Sequence, residues 1–395
     1  MFLLNMSQVY LDLTNKQNFS FMFSNLTNIV SVDMYFNIGL NSSMSYMFCN
    51  CINLVHFNYN NNYEESHIIK DMKGMLYNCT SLTSFSFNNF YLNVYIEIIE
   101  HGYGLFSYSE EIEVYILFNL SYMFYNCKSL KTIEIFGDTN NNKVIKDIID
   151  MRKMFYNCIS LTSINLEHFI ASSNIDLSFM FYNCQNLKSV IFPNSNGFKV
   201  NNMKNMFYNC QSLISIDLQK FKRTNSNLNF SYLFYNCTNL IKVEDNFNNF
   251  LVSDTIEMFY KCISLTSLIF HPYTISSRIN MTKMFYNCSI IKSISFKINY
   301  NNVNPLTQYF EPNDMSKMFY NCNSLISLTL SHFKTDKTQY ISYMLYNCKK
   351  LEEFSLYQSD FTNLLITDIR GTFQNCESIV TLDLSNFYTP KVEIM

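Results

Sequence analysis

A chain of 395 residues would by length alone divide into two or three domains, each large enough for its own core. With 28 Lys plus Arg against 31 Asp plus Glu, its formal charge of -3 lacks the basic field that phosphate-backbone binding requires, so nucleic acid is not an expected partner. Hydrophobic residues make up 48% and aromatic residues 17%, with 7 Gly, 5 Pro and no Trp, so this asparagine-rich chain still has the apolar material for a core.

The first residues, MFLLNMSQVYLDL, lack a basic n-region and turn polar too early for a secretory signal. No run of 18 apolar residues follows, and no membrane-spanning helix is expected. Leu11-Asp12-Leu13 reads as a strand with no partner element before it.

From Leu26 onward one pattern returns. The stretch from Met154 to Leu166, MFYNCISLTSINL, recurs in near copies whose fifth position is Leu26, Cys51, Cys79, Cys127, Cys158, Cys184, Cys210, Cys237, Cys262, Cys288, Cys322, Cys348 and Cys376. Most spacings equal one coil of a leucine-rich-repeat solenoid, which overrides the domain count from length. Three positions after this reference stands Leu or Ile; six and eight positions after, the residue is apolar in every repeat except at Asp245. The intervening positions are mostly polar, so the segment alternates with the period of two of a half-buried strand. Upstream, positions seven, four and three before the reference are apolar, as in Met151, Met154 and Phe155. That is one face of a helix, and the spacing predicts a short helix in each coil. Asparagine precedes the reference in every repeat but the one with Lys261, where its tolerance of the left-handed conformation would end the helix and turn the chain.

A single unit cannot bury both its stripe and its strand face, whereas stacked units make a continuous ladder and core. The expected architecture is an α/β solenoid over residues 1–395, a right-handed arc of about 13–14 coils with strands on the concave side and helices on the convex side, roughly 60 Å long. Two places are irregular. Residues 88–120 are either an insertion or a degenerate extra coil, acidic at Glu97, Glu100, Glu110, Glu111 and Glu113. Asn301, Asn302, Asn304, Pro305 and Pro312 predict a lengthened surface loop. The pattern also starts and stops without an obvious cap, which suggests a fragment or module of a longer chain.

These repeats, and most clearly Leu382 to Val392, LDLSNFYTPKV, resemble the BspA-type leucine-rich repeats of microbial surface proteins. The resemblance spans almost the whole chain. It implies the right-handed leucine-rich-repeat fold and a surface protein that binds host proteins, matrix or neighbouring cells. The chain departs from the family in placing Tyr-Asn where a small residue and Gly often precede the cysteine.

The cysteines invite a metal or disulfide reading. Zinc ligands come as close pairs, and here they lie a coil apart with no histidine in register, so no metal or cofactor is expected. Stacked cysteines are near enough to bridge, but parallel side chains do not point at one another. Cys51, Cys79, Cys127, Cys158, Cys184, Cys210, Cys237, Cys262, Cys288, Cys322, Cys348 and Cys376 therefore read as a core column of inert thiols, an inference supported by Leu26 taking the same place. Cys49 stands outside the column, where most repeats have Tyr. The Met-Phe columns read as core. Six histidines and scattered carboxylates form no acid/base or nucleophile pairing, and no phosphate loop appears among the glycines, so no enzyme activity is expected. Sequons occur at Asn5, Asn18, Asn25, Asn41, Asn78, Asn119, Asn229, Asn236, Asn280 and Asn287, of which Asn78, Asn236 and Asn287 belong to the repeat column.

The outward strand face remains. Most of its members are Ser or Thr, which serve equally well as a solvated ladder or as an extended surface for a protein or glycan partner. Its variable members, His56, Lys242, Glu244 and Glu353, with the acidic Asp217, Asp383 and Glu134, are the candidate binding residues. The expected function is a non-enzymatic interaction or adhesion module, at the cell surface by resemblance. An intracellular scaffold is the alternative reading, favoured by reduced cysteines and the missing signal sequence; an enzyme grafted on the solenoid is the third.

Overall fold

The computed structural model describes residues 9–13, 18–38, 42–60, 69–86, 95–101, 108–114, 118–134, 148–171, 174–193, 198–221, 227–244, 247, 250–271, 274–275, 278–297, 309–330, 332–356, 365–383 and 391–392. They fall in two units, residues 1–175 with 191–198, and residues 176–190 with 199–395. Each unit is a solenoid of parallel strands in stacked coils.

In the first unit, Val9–Leu13, Ser31–Ile38 and His56–Asn60 form one parallel sheet, and Ser84–Ser86 pairs in parallel with Thr132–Glu134. A second parallel ladder joins Ser42–Ser43, Ile69–Asp71, Phe118–Asn119 and Ile148–Asp150. The direct pairing of Ser84–Ser86 with Thr132–Glu134 leaves no rung between them. The long spacing between Cys79 and Cys127 instead holds an antiparallel hairpin of Tyr95–His101 and Tyr108–Val114.

In the second unit, Ser215–Asp217 pairs with Lys242–Glu244. Ser267–Phe270, Ser293–Phe296, Ser327–Leu330, Glu353–Leu356 and Thr381–Asp383 form a five-stranded parallel sheet. Equivalent positions stand side by side, Ser267 against Ser293, Ser293 against Ser327, Ser327 against Glu353, and Glu353 against Thr381. Along each strand exposure alternates as expected: Ser267 and Ile269 are exposed while Leu268 and Phe270 are buried. Pro312, expected in a loop, begins the short strand Pro312–Asp314 against Ile279–Asn280; residues 298–308, where the rest of that loop was expected, lie outside the described residues.

The expected helices are absent: among the described residues the segment before each cysteine is a chain of turns. Its backbone shows why. Lys153 and Asn157 both have positive φ, 55° and 61°, and two left-handed residues four apart break the i→i−4 ladder of a helix. The N–H groups of Met154, Tyr156 and Cys158 instead close turns on the carbonyls of Met151, Lys153 and Phe155. In the preceding coil the alternate N–H groups of Leu120, Tyr122, Phe124 and Asn126 leave the coil and reach Asp150, Arg152, Met154 and Tyr156. The segment is thus stitched sideways at every second residue. Successive turns reproduce the three-and-four spacing of apolar residues, so the sequence pattern fits both structures.

The apolar columns meet in the core. Met203, Met206, Phe207, Cys210, Leu213 and Leu218 are each 0% exposed, and their equivalents behave alike in most coils. The Phe column stacks from coil to coil, with ring centroids 5.5 Å apart for Phe181 and Phe207 and 5.7 Å for Phe207 and Phe234. Burying each such side chain contributes about 1.5–3 kcal/mol. Leu26, whose presence in the cysteine column suggested a core position, is 39% exposed, so the burial of the column rests on the cysteines themselves.

Candidate functional site

Four side-chain columns run along each unit. The first is the cysteine column. None of the thirteen cysteines is in a disulfide, and the column members from Cys51 to Cys348 are buried, while Cys376 and Cys49 are half-buried. Column thiols in both units donate to the carbonyl of the residue three before the equivalent position in the preceding coil: Cys79 to Phe48 at 3.2 Å, Cys210 to Phe181 at 3.0 Å, Cys288 to Phe259 at 3.1 Å. The same carbonyl also accepts its own coil's N–H, as Phe48 does from Cys51. Cysteine thus supplies a small apolar atom that still carries a weak donor. Burial pushes these thiols up, Cys51 to about 11 and Cys288 to about 12, which removes the thiolate that nucleophilic or metal chemistry needs.

The second is the asparagine column. In the first unit Asn50 donates its Nδ2–H to Oδ1 of Asn25 and Asn78 to Asn50, both at 2.9 Å. In the second, Asn209 donates to Asn183, Asn236 to Asn209 at 2.6 Å, Asn321 to Asn287 at 3.3 Å and Asn347 to Asn321 at 2.9 Å. Lys261 interrupts the amide ladder but keeps the left-handed backbone, with φ 58°. The sequon residues Asn78 and Asn236 therefore spend their amide N–H groups inside the ladder.

The third column, two residues before each cysteine, was visible in the sequence only as the place from which Cys49 departs. In the first unit Tyr77, Tyr125 and Tyr156 stack at 4.6 Å. In the second, Tyr182, Tyr208, Tyr235, Tyr260, Tyr286, Tyr320 and Tyr346 stack with centroids 4.4–4.7 Å apart and ring planes within 11°. All are half-buried.

The fourth is the outward strand face with the candidate binding residues. In the first unit His56 is exposed and pairs in register with Ser31; beside it Asn58 donates to Asp33 at 2.8 Å. Glu134 is exposed opposite Ser86. In the second unit Lys242 and Glu244 form a 3.1 Å ion pair, and Asp217 lies in register with Glu244 and 3.8 Å from Lys220. Such exposed pairs contribute little to stability. Glu353 is exposed between Ser327 and Thr381. Asp383 stands in register with Ser355, its side chain lying outside the described residues. Lys242, Glu244 and Asp217 are thus brought together on one strand pair; Glu353 stands on a different sheet of that unit.

One feature of this face was not read from the sequence. In most coils the residue just before this strand is exposed, and where it is isoleucine it leaves apolar surface among the serines: Ile214 is 47% exposed, Ile241 51% and Ile326 44%. Ile214 and Ile241 lie side by side, the Ile241 N–H donating to the Ile214 carbonyl at 2.9 Å, just before the strands that carry the Lys242–Glu244 pair. The available signal was an apolar residue at an out-of-phase position, four after the cysteine.

Among the described residues no helix is long and apolar enough to cross a membrane, and no group of three or more His, Cys, Asp or Glu is placed to hold a metal ion.

A family model described as the BspA type leucine rich repeat region matches overlapping stretches at residues 3–117, 73–171, 105–240, 149–274 and 204–311. A second model, for a Mycoplasma protein of unknown function, matches residues 310–395. Among solved structures, a leucine-rich-repeat protein of Leptospira interrogans is 12% identical, covering 94% of this chain and 83% of its own, with a TM-score of 0.28. TLR13 in its complex with ssRNA13 is 14% identical, covering 94% of this chain and 53% of its own, with a TM-score of 0.27. No curated protein matches the sequence.

Proposed function

The chain belongs to the BspA-type leucine-rich-repeat family, and on that premise we propose that it is a non-enzymatic interaction or adhesion module at a microbial cell surface, capturing a protein or glycan through its outward strand face. The observation that carries this reading is the patch on the strands Ser215–Asp217 and Lys242–Glu244. There two exposed isoleucines, Ile214 and Ile241, sit beside a charged cluster of Asp217, Lys242 and Glu244. Exposed apolar side chains beside charged groups are the composition of an interface patch, whereas a ladder that only supported the sheet would need no isoleucine in water. His56, Glu134, Glu353 and Asp383 extend the proposed contact residues along the faces of their own units. The repeat column also supports reading residues 1–395 as a single repeat domain of thirteen or fourteen coils.

The thiols favour a second reading. Because Cys79, Cys210 and Cys288 use their S–H groups as donors, the fold employs the reduced form, which suits an intracellular scaffold.

Two experiments test the readings. A membrane-impermeant amine reagent applied to intact source cells should label exposed lysines such as Lys242 if the protein is on the surface; labelling only after lysis leaves the scaffold reading. Replacing His56, Lys242, Glu244 and Glu353 together by Ser should abolish partner capture, and unchanged capture would move the contact to another face.

A further inference from the structure

We propose that the tyrosine column of the second unit is a site of oxidative modification, in which neighbouring rungs are joined by dityrosine cross-links. Tyr208 and Tyr235 give the clearest geometry. Their ring centroids are 4.4 Å apart with parallel planes, and their hydroxyls share a hydrogen bond. Tyr320 and Tyr346 repeat it at 4.5 Å, again with hydrogen-bonded hydroxyls. Ring carbons ortho to the hydroxyl on adjacent rungs therefore face one another in register, held by the coils on either side.

The distribution of the other oxidisable groups directs the reaction here. The chain has no Trp. The described methionines of the second unit, among them Met206, Met258, Met284 and Met318, are buried, and the column cysteines up to Cys348 are 0% exposed and uncharged. Apart from Cys376, the one half-buried column thiol of this unit, the half-buried tyrosine edges are thus the regular electron-rich surface that an external oxidant meets. A radical formed on one rung also has chemically equivalent neighbours on both sides, so a second oxidation anywhere in the ladder can produce an adjacent pair.

The oxidant is hydrogen peroxide acting through a peroxidase. Each of two phenols loses one hydrogen atom, as a proton and an electron, and the two hydrogen atoms reduce one peroxide to two waters. The two phenoxyl radicals couple through a new carbon–carbon bond between ortho positions. The hydrogens on those carbons then move to the oxygens, restoring both phenols. The product is a solenoid stapled from coil to coil within one chain.

The test exposes the full chain, at dilution, to horseradish peroxidase and peroxide. Dityrosine fluorescence is followed, and cross-linked peptides are mapped by mass spectrometry. Intramolecular links between Tyr208 and Tyr235, and between other consecutive rungs, are expected, with unchanged chain mass on denaturing gels apart from the lost hydrogens. The triple variant Tyr208→Phe, Tyr260→Phe and Tyr320→Phe keeps the stacking rings but removes the column phenols on either side of Tyr235 and Tyr286 and the one before Tyr346. Loss of the mapped column links in that variant supports the proposal. Three results overturn it: no dityrosine in the wild type, links only between chains, or links preferring the tilted same-coil pairs Tyr232–Tyr235 and Tyr343–Tyr346, which lie 6.2 and 6.0 Å apart. Circular dichroism of the variant guards against unfolding as the cause of any loss.

Discussion

Asn236 donates its side-chain amide to Oδ1 of Asn209, 2.6 Å away in the preceding coil, while its own backbone stands at φ 57°. One residue thus meets two demands, a left-handed turn and a lateral hydrogen bond. The two are separable by substitution. Asn236→Gly keeps the conformation and loses only the bond, at about 0.5–1.5 kcal/mol. Asn236→Ala adds the left-handed penalty of roughly 1–2 kcal/mol. Lys261→Asn should run the other way, because it supplies the missing amide between Asn236 and Asn287. Urea unfolding of the three variants should rank them Lys261→Asn above wild type, then Asn236→Gly, then Asn236→Ala; equal losses at Asn236 would show that conformation does not matter there.

The buried thiols predict loss of stability in alkali. Desolvation raises the folded-state values above the ordinary 9.0, to about 11 at Cys51 and about 12 at Cys288. Above pH 9 the unfolded chain therefore releases protons that the folded chain keeps. The stabilisation is complete below pH 9 and is lost as pH rises through the folded values. For Cys288 the slope between pH 9 and 12 should be about 1.4 kcal/mol per pH unit. Raised tyrosines such as Tyr59 act with the same sign, so the thiol share is isolated by comparing wild type with Cys288→Ala. The variant should lose stability less steeply between pH 9 and 11 in denaturant titrations, and parallel curves would contradict the assignment.

Ile214→Ser and Ile241→Ser together should leave unfolding within about 0.5 kcal/mol of wild type, since both side chains already face water. Partner capture should fall. The combination distinguishes a binding patch from a structural one: lost stability with intact capture would assign these residues to the fold.

Much of this was legible in the sequence because a repeat states each column many times over. The buried Leu at Leu213, the alternation along Ser267–Phe270 and the turn asparagines were read from spacing alone. The helix was not, because an apolar spacing of three and four is shared by a helix and by consecutive turns, and only the φ of Lys153, a residue with no special preference for the left-handed region, decides between them. The tyrosine ladder was written in the same columns but half-buried aromatics carry no periodic signature of their own. On the strand face, identity could be read and placement could not: Lys242, Glu244 and Asp217 meet because two strands pair in register, while Ile214 and Ile241 fell outside the expected alternation.

The left-handed position that excludes the helix also fixes where glycine is required. Gly371 has φ 59°, and a Cβ built there would lie 2.6 Å from the Tyr343 ring in the preceding coil. Gly371→Ala therefore carries two costs, about 1–2 kcal/mol for the left-handed backbone and a steric term set by how far Tyr343 can move. Tyr343 itself stands at φ 53°, so the column accepts a side chain where the coil behind it leaves room. In a Tyr343→Ala background the ring's share of the steric term should vanish, and Gly371→Ala should cost the backbone part and the small shift of the flexible Gln374 end, whose Oε1 lies 3.1 Å from the built Cβ. The double-mutant cycle reads that difference directly. A coupling near zero would mean that the ring yields freely and that glycine is kept at position 371 for its conformation alone.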